Sequence, residues 1–560
     1  MYKYILVTIF CFYLISKTQS QENNYPWDKG LIEYMHHPWV DSVYQSLNQD
    51  QRIAQLFWIS VEDLKNPVAY KKYLNLIKQY HPGGVLFMKN SLTNITSFNQ
   101  DAQKITRCPL INSLDAEWGP AMRINELTPI PKAMTMGAIQ DEKLIYRAGL
   151  EIAHQLQMIG IHVNFAPVAD VNSNPRNPVI GSRSFGEEPF EVASRSVMFM
   201  RGMQDGGVAA VAKHFPGHGN TDSDSHTSLP FLSQSRRQMD TIDLVPFQAL
   251  IKNGILGVMT AHLEIPSLEY EQGLPSSLSK SIVTDLLKHE MGYSNLIITD
   301  AMNMSGVKKA GQPGRVDAMA LIAGNDVVES TENLPLAIQQ VKKAIDNNEL
   351  SWNDIEYKCR KELAMKLLLN CNTVPNYSIN LVDSINKSLS EDFLTDMYAN
   401  AITRLIQKTK IPDDKGKKTL ILLLEADDFI NESHPLDDYT YLRINANTQY
   451  SSIQSLLKSS DQCYFIIGKA SKTYTLLTQP NIKTVYEKCI MDSKTTIVFM
   501  GTPYQLNKYE SIHRSQNLIL TYEDNKYVYR ALNRLINNEF KTSGLLPVSV
   551  SPWFQAGLGL

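Results

Sequence analysis

The sequence predicts an α/β protein of two domains, a (β/α)8 barrel of the TIM type followed by a smaller α/β domain. The chain has 560 residues, which is more than one compact hydrophobic core usually holds. Short apolar runs alternate with amphipathic stretches from about residue 40 to 370, and repeated strand–helix units form a parallel sheet or a barrel. Polar residues follow several runs directly, and a barrel gathers such residues on one face.

Seven apolar runs predict the strands of the first domain. Several are rich in Val and Ile, as strands buried on both faces are. The intervals leave room for helices, and residues 45–58 and 281–288 carry apolar side chains at helical spacing. The runs are Gly84–Phe87, Pro109–Leu114, Ile161–Val168, Val208–Ala212, Ile255–Met259, Leu296–Thr299 and the shorter Asp326–Val328.

Polar side chains directly after these runs favour a barrel over an open sheet. Residues at the carboxyl ends of barrel strands converge on one face, where barrel enzymes keep their sites. A single polar residue could simply end a strand, but five such positions favour convergence. They are Asp115, Asp170, the Lys213–His214 pair, His262 and Asp300.

A linker over residues 372–391 and a second domain over 392–560 are predicted after the first domain, residues 21–371. The linker is rich in Asn, Pro, Ser and Asp and has little apolar periodicity. A helix over 393–406 and an edge strand over 544–550 are expected in the second domain. Its other predicted strands are Thr419–Leu424, Cys463–Ile467, Thr496–Met500 and Leu518–Thr521.

The charge balance argues against a partner that is a polyanion. Lys and Arg number 54 against 57 Asp and Glu, which gives a net charge of −3. Nucleic acid is therefore not expected as a partner.

The N-terminus predicts a signal peptide over residues 1–20. Lys3 precedes the apolar run Tyr4–Ile15, and small residues stand before Gln21. The run is too short to span a bilayer comfortably. We therefore expect an exported protein, periplasmic or secreted, with no stable membrane insertion after cleavage. A retained anchor and a buried first strand are the alternatives.

The cysteines do not predict a disulfide framework. Six are present, and Cys11 would leave with the predicted signal peptide, so five scattered cysteines would remain. No C-x-x-C pair exists, which argues against a thiolate zinc site. Spacing alone leaves open whether Cys359 and Cys371 pair.

The segment 213–226 carries three His and two Asp in fourteen residues. His214 and His218 stand four apart, as in a helical zinc motif. A proline and two glycines in and beside that interval break any helix, and no Glu follows His214. A metal site is therefore disfavoured.

Asp224 and His226 predict an acid/base pair. In an extended segment, residues two apart lie on the same side. A carboxylate beside an imidazole orients it and favours its charged form, which gives a positioned proton donor. Taken alone, the pair does not outweigh the alternative of a solvated glycine-rich loop.

Asp300 is the candidate nucleophile. It ends the run Leu296–Thr299, and a carboxylate at the end of a barrel strand can attack an anomeric carbon. The alternative is a helix N-cap, for which Asp is well suited.

Several segments, in their order along the chain, resemble those of family 3 glycoside hydrolases of the β-N-acetylhexosaminidase branch. The segment 213–226 resembles the signature of that branch, Leu296–Met304 resembles the nucleophile segment, and Asp115–Gly119 resembles the sugar-binding segment. Other similar segments are Asn164–Asn172, Asn177–Gly186, Thr260–His262 and Pro275–Ser279.

The resemblance implies a TIM-like barrel followed by a smaller α/β sandwich domain. It implies Asp300 as nucleophile and His226 as acid/base, held by Asp224. The residues it implies for binding sugar hydroxyls are Asp115, Arg183, Lys213 and His214. One departure is Trp118, which replaces a glycine of the family and could stack on a sugar or fill core.

The expected function is that of a retaining exo-β-N-acetylglucosaminidase. It would release terminal β-linked N-acetylglucosamine from peptidoglycan fragments or chitin-like oligosaccharides through a covalent glycosyl-enzyme. A carbohydrate is the expected partner, no cofactor or metal is implied, and the oligomeric state is left open. The alternatives are phosphorolysis, a β-glucosidase of the same fold and a catalytically silent glycan-binding protein.

Overall fold

Eight parallel strands form a closed barrel in the computed structural model, which describes residues 30–225, 228–409, 417–432, 439–509 and 511–560. The order of neighbours runs from β7 down to β1 and then to β8, and a bridge between Ile298 and Val327 joins the two ends. The predicted barrel is confirmed. The strands are β1 (Phe57–Val61), β2 (Gly84–Phe87), β3 (Ile111–Leu114), β4 (Val163–Asn164), β5 (Ala209–Phe215), β6 (Gly257–Thr260), β7 (Leu296–Thr299) and β8 (Val328–Glu329).

The first barrel strand lies partly where a helix was predicted. The helix Gln49–Ala54, which Asn48 and Gln51 cap reciprocally, ends before β1 begins at Phe57. The prediction of one helix over 45–58 is therefore wrong at its end. Trp58 faces the barrel interior and Phe57 the surrounding helices, and a run buried on both faces has no periodicity that separates strand from helix.

Helices surround the barrel. The predicted helix over 281–288 is present as the π-type Ser281–Glu290. The α-helices are Pro38–Ser46, Gln49–Ala54, Pro67–Tyr80, Leu92–Ile105, Ala133–Ala138, Glu142–Ile159, Pro189–Asp205, Arg236–Gln238, Leu244–Lys252, Ser305–Lys308, Arg315–Ala323, Leu334–Asp346 and Trp352–Leu368. A π-type turn, Met239–Asp243, and the 3-10 turns Leu31–Tyr34, Pro120–Met122, Gly181–Arg183 and Ser276–Leu278 complete the set.

The amino-terminal end of the barrel is filled with side chains. Trp58 stacks on Phe165 inside the barrel, with ring centroids 6.0 Å apart. Its indole N–H donates to Glu362 on the helix Trp352–Leu368 at 2.9 Å, and Leu31 and Met365 pack against the same interior. Space for a ligand is therefore left at the opposite, carboxyl end of the strands.

The second domain is an open six-stranded sheet with helices, which confirms the predicted smaller α/β domain. The strands lie in the order β11-β10-β12-β13-β14-β9, and all pairs are parallel except β14 with β9. They are β9 (Thr403–Gln407), β10 (Thr419–Leu424), β11 (Tyr439–Arg443), β12 (Gln462–Ile467), β13 (Thr495–Phe499) and β14 (Asn517–Leu520). The helices are Glu391–Ala401, Phe429–Glu432, Tyr450–Ser459, Ala470–Leu476, Pro480–Met491 and Lys526–Ile536, with 3-10 turns at Pro503–Lys508 and Ile512–Arg514.

Two predicted elements of the second domain are wrong. The helix expected over 393–406 ends at Ala401 and gives way to β9, because the β-branched Thr403 and Ile406 join the sheet edge beside β14. The edge strand expected over 544–550 is extended chain outside any sheet, because its backbone groups bond instead to the barrel at Ala138 and Glu187.

The predicted linker contains an unpredicted helix, Leu381–Ser388. Its Ile385 is buried, and Asn386 donates to the Glu126 carbonyl of the barrel at 3.0 Å. The boundaries at residues 371 and 392 stay a prediction.

The predicted signal peptide lies outside the described residues. Among the helices that the structure describes, none combines the length and apolar character needed to cross a membrane. Cys359 and Cys371, whose pairing the spacing left open, both carry free buried thiols.

We predict that Glu523→Ala loosens the contact between the two domains. The Glu523 carboxylate accepts from the Lys132 N–H at 2.9 Å, the Thr135 hydroxyl at 2.6 Å and the Tyr398 hydroxyl at 3.0 Å. Unpaired buried donors cost ~1–3 kcal/mol each, so the free energy of unfolding in urea should fall by about 2 kcal/mol or more.

The matched control is Glu539→Ala, an exposed carboxylate 3.5 Å from Arg534 in the same domain. It should change stability by less than about 1 kcal/mol. Equal effects of the two substitutions would contradict the bridging role of Glu523.

Candidate active site

A cavity of about 210 Å³ opens at the carboxyl ends of the barrel strands. The side chains that line it follow different strands, so the closed barrel brings together residues far apart in the sequence. Five of the predicted site residues line this cavity, namely Asp115, Arg183, Lys213, His214 and Asp300.

Lys213 lies at the centre of a cluster of charges on one wall of the cavity. Its ammonium group is 2.7 Å from Asp115 and 2.9 Å from Glu117. Arg123 bonds to the other oxygen of Asp115 at 2.5 Å, and Arg183 grips Glu117 with two N–H donors at 2.7 and 3.0 Å. Such paired groups have fixed directions, as a site that orients a polar ligand requires.

The cluster keeps its carboxylates ionised despite their burial. Burial alone would raise the pKa of Asp115, but Lys213 and Arg123 bring it well below its usual range. Arg183 and Lys213 lower the pKa of Glu117 against the same effect. The wall therefore presents fixed charges at neutral pH.

Asp170 organises the two histidines of the neighbouring loop. The carboxylate of this fully buried residue accepts from His214 Nδ1 at 2.7 Å and from the His214 and His218 backbone N–H groups at 3.2 and 2.7 Å. Burial would raise the pKa of Asp170, but His214 and His218 lower it. An ionised Asp170 fixes the proton on His214 Nδ1, so Nε2 faces the Arg183 guanidinium at 3.4 Å.

Asp300 directly follows β7, is partly exposed and lines the cavity. Its backbone N–H donates to the Thr260 carbonyl at 2.8 Å. Burial would raise the pKa of its carboxyl, but His214, His262, the Ala301 N–H and Lys213 together lower it. Asp300 is therefore an anion that faces the cavity at neutral pH.

The loop that carries the predicted acid/base pair packs on the loop after β4. Asn177 donates to the His218 carbonyl at 2.8 Å, and Asn174 donates to the Asp222 carboxylate at 2.8 Å. The Asp224 carbonyl accepts from the Ser228 N–H at 3.0 Å. His226 lies outside the described residues, so the Asp224–His226 pair stays a prediction.

The sequence predicted no individual role for three residues that line the cavity, namely Glu117, Arg123 and His218. The place of Glu117 in the site could have been predicted, because it stands two residues after Asp115 and an extended segment brings both side chains to one side. Arg123 comes from an irregular loop, and His218 is one of three histidines that the sequence does not distinguish. No pattern in the sequence therefore predicted that these two residues line the cavity. Trp118 does not line the cavity; its ring lies against the Lys132 ammonium at 5.3 Å.

Within the described ranges, no group of three or more His, Cys, Asp or Glu side chains has the arrangement of a metal site. The rings of His214 and His218, the pair at zinc-motif spacing, face Asp170, Thr221 and Ser225.

A closed parallel barrel with a polar, charge-lined cavity at the carboxyl ends of its strands has the architecture of a TIM-barrel enzyme. Comparisons with known proteins agree with this class. Residues 48–364 match the N-terminal domain of glycosyl hydrolase family 3. The chain therefore belongs to the family 3 glycosyl hydrolases.

The chain is also similar to two curated relatives and to one solved structure. It is 33% identical over 330 residues to a beta-hexosaminidase A of Pseudoalteromonas piscicida, and the match covers 52% of this chain and 54% of that protein. It is 26% identical over 341 residues to a beta-N-acetylglucosaminidase/beta-glucosidase of Cellulomonas fimi, which covers 59% of each. The chain thus spans little more than half the length of these relatives.

The solved structure is a glycoside hydrolase family 3 beta-N-acetylglucosaminidase from Paenibacillus sp. str. FPU-7. It matches with a TM-score of 0.72 and 26% identity, over 90% of this chain and 99% of that one. The likeness therefore includes the second domain as well as the barrel.

We predict that Asp170→Asn disturbs the cavity wall although it preserves shape. An amide keeps only one acceptor oxygen, so its N–H₂ group faces either the backbone N–H donors of His214 and His218 or the Nδ1 of His214. The catalytic efficiency on an aryl glycoside should fall by about a hundredfold or more, because His214 loses its fixed orientation.

Asp222→Asn is the matched control, since this side chain of the same loop is 70% exposed and an asparagine keeps an oxygen that accepts from Asn174. Its catalytic efficiency should stay within about twofold of the unmodified protein. A near-normal rate for Asp170→Asn would exclude an organising role for Asp170.

Proposed function

We propose that this protein is a retaining β-N-acetylglucosaminidase that removes terminal β-linked N-acetylglucosamine through a glycosyl-enzyme intermediate. The observation that carries the proposal is the placement of Asp300 directly after β7, facing a cavity that Lys213, Asp115 and Arg183 also line. The names of the Pseudoalteromonas relative and the Paenibacillus structure support hexosaminidase chemistry.

Asp300 is proposed as the nucleophile. A retaining glycosidase needs a carboxylate that attacks the anomeric carbon and a proton donor for the leaving oxygen. The lowered pKa of Asp300 keeps it ionised, and its backbone bond to Thr260 holds it at the rim of the barrel. The carboxylate forms the ester as the leaving oxygen departs, and water then cleaves the ester and restores Asp300.

His226 is proposed as the acid/base and Asp224 as the residue that orients it. The two stand two apart in the sequence, and the preceding part of their loop is anchored by Asn174 and Asn177. A histidine that has given up its proton is neutral and does not repel an incoming nucleophile as a carboxylate would.

Asp115, Arg183, Lys213 and His214 are proposed to bind the sugar hydroxyls. Asp115 offers acceptor sites beyond those used by its two cations, since a carboxylate has about four lone-pair positions. His214 Nε2 and the guanidinium of Arg183 lie side by side at 3.4 Å. Hydrogen bonds of this kind strengthen as the sugar distorts toward the transition state.

We further propose that the protein is exported to a periplasm or to the exterior. Its proposed natural substrates are peptidoglycan fragments or chitin-like oligosaccharides. The apolar run Tyr4–Ile15 supports export.

A second candidate activity is hydrolysis of β-glucosides. It is favoured by one observation, the dual name of the Cellulomonas relative. Transfer to phosphate instead of water is a further alternative, because a neutral imidazole tolerates an incoming anion.

We predict a preference for aryl β-N-acetylglucosaminides over the corresponding β-glucosides. Catalytic efficiency should differ by at least about tenfold if the cavity recognises the acetamido group. The rates of both substrates are measured with and without phosphate. Equal or faster glucoside cleavage would contradict the proposed substrate, and acceleration by phosphate with release of a sugar phosphate would favour phosphorolysis.

We predict that Asp300→Ala and His226→Ala differ in their dependence on the leaving group. Asp300→Ala should abolish turnover of every substrate, since the ester can no longer form. His226→Ala should slow a disaccharide far more than an aryl glycoside with an acidic phenol, whose departure needs little protonation. Asp224→Ala should follow the same pattern more mildly. If His226→Ala slows both substrates equally, His226 is not the leaving-group acid.

A further inference from the structure

Glu329 is an acidic side chain of the cavity that the proposed mechanism does not use. It is the last residue of β8, is 1% exposed and lines the same cavity as Asp300 and Asp115. Side chains alternate along a strand: Val327 packs in the barrel interior and Val328 against the surrounding helices. Glu329 therefore points inward, toward the cavity.

Hydrogen bonds of its backbone and of its side chain fix the position of Glu329. Its backbone N–H donates to Thr299 Oγ1 at 3.0 Å, and its carbonyl accepts from the Met302 N–H at 2.9 Å. Its carboxyl is hydrogen-bonded to the Ser330 hydroxyl, and the Ser330 N–H donates to the Trp58 carbonyl at 2.9 Å. A side chain held this way keeps its geometry as a ligand enters.

The cations of the cavity are committed to other carboxylates. Lys213 and Arg123 bond to Asp115, and Arg183 and Lys213 bond to Glu117. Within the part of the chain that the structure describes, no ion pair includes Glu329. A carboxylate buried without a cation is costly, and such a group instead takes up a proton.

Burial has the largest effect on the pKa of Glu329. Burial raises its pKa well above the usual range, the hydrogen bond from Ser330 opposes this shift, and the neighbouring carboxylates Asp300 and Asp115 add to it against a weaker effect of Arg123. Glu62, which directly follows β1, is a further carboxylate that lines the cavity. Asp300 has the opposite shift, so the two neighbouring acids are divided into one anion and one neutral acid, a division typical of catalytic pairs.

We infer that Glu329 keeps its proton at neutral pH and donates a hydrogen bond from its carboxyl O–H to an oxygen of the sugar held beside Asp300. The inference rests on the proposed function, since it takes this cavity as the sugar site. No covalent bond to Glu329 forms or breaks in the reaction. When Glu329 is neutral, Asp300 is the nearby anion that can attack the sugar. An ionised Glu329 would be a second carboxylate and would repel the charge of Asp300.

The test compares Glu329→Gln with Glu329→Ala. Glutamine is uncharged, has the same shape and keeps an N–H donor, whereas alanine removes the donor. The affinity for N-acetylglucosamine is measured by calorimetry from mildly acidic to alkaline pH. All variants carry His226→Ala, so that this imidazole contributes no titration.

Affinity in the His226→Ala protein should fall as the pH rises through the pKa of Glu329, because the ionised form has no proton to donate. With Glu329→Gln it should stay within about threefold of the low-pH value and lose this pH dependence; with Glu329→Ala it should fall by about tenfold. Glutamine as weak as alanine, or an unchanged pH slope with glutamine, would overturn the inference.

A second measurement reads the proton without any ligand. The infrared difference spectrum of the unmodified protein minus Glu329→Gln should show the carbonyl band of a protonated carboxyl group at neutral pH. Ser330→Ala should keep this band, because loss of the hydroxyl removes a contact that lowers the pKa. Absence of the band from the unmodified protein would overturn the inference even if every variant folds normally.

The two proposals can fail separately. If the unmodified protein binds glucose but not N-acetylglucosamine, the proposed substrate is wrong, and the same titration with glucose tests Glu329. If N-acetylglucosamine binds and is released from substrate but the infrared band is missing, the proposed function stands and the inference about Glu329 fails.

Discussion

The cavity depends on one buried ammonium group. Lys213 is 3% exposed and lies between the carboxylates of Asp115 and Glu117. Removal of one partner from a buried ionic cluster costs ~3–5 kcal/mol, because the remaining charges lose their compensation. Arg123 and Arg183, which come from two different loops, are in turn positioned by those two carboxylates. The arrangement of the cavity wall therefore depends on the positive charge of Lys213, near the end of β5.

Most of the fold could be predicted because its strands are short apolar runs with polar ends. Leu296–Thr299 and Thr419–Leu424 were predicted with the bounds that the structure gives them. The errors fall where burial removes the periodicity, as at Phe57 and Trp58, or where long-range contacts decide the conformation. Residues 544–550 have the composition of a strand but bond to the barrel instead, and no local pattern reports such a partner.

The site could be predicted only as a set of residues. The strand-end rule placed Asp115, Lys213 and Asp300 on one face, and the structure brings them around one cavity. It could not reveal which carboxylate pairs with which cation, because that depends on loops such as the one that carries Arg123. Glu329 looked like an ordinary residue beyond a weak apolar run, and its place beside Asp300 is visible only once the barrel is closed.

The segment after the helix Lys526–Ile536 is bound to loops of the barrel beside the cavity. Pro547 accepts from the Glu187 N–H at 3.1 Å, and Ser549 bonds to the Glu187 carboxylate at 2.6 and 2.7 Å. The carbonyl of Gly186, which precedes Glu187, accepts from the Asn172 N–H and the Ser184 hydroxyl. The Ser184 hydroxyl also bonds to the Asp170 carbonyl at 2.6 Å. During synthesis the barrel strands leave the ribosome long before this segment does. The loops beside Arg183 and Asp170 therefore gain these hydrogen bonds only after the strands of the second domain have been made.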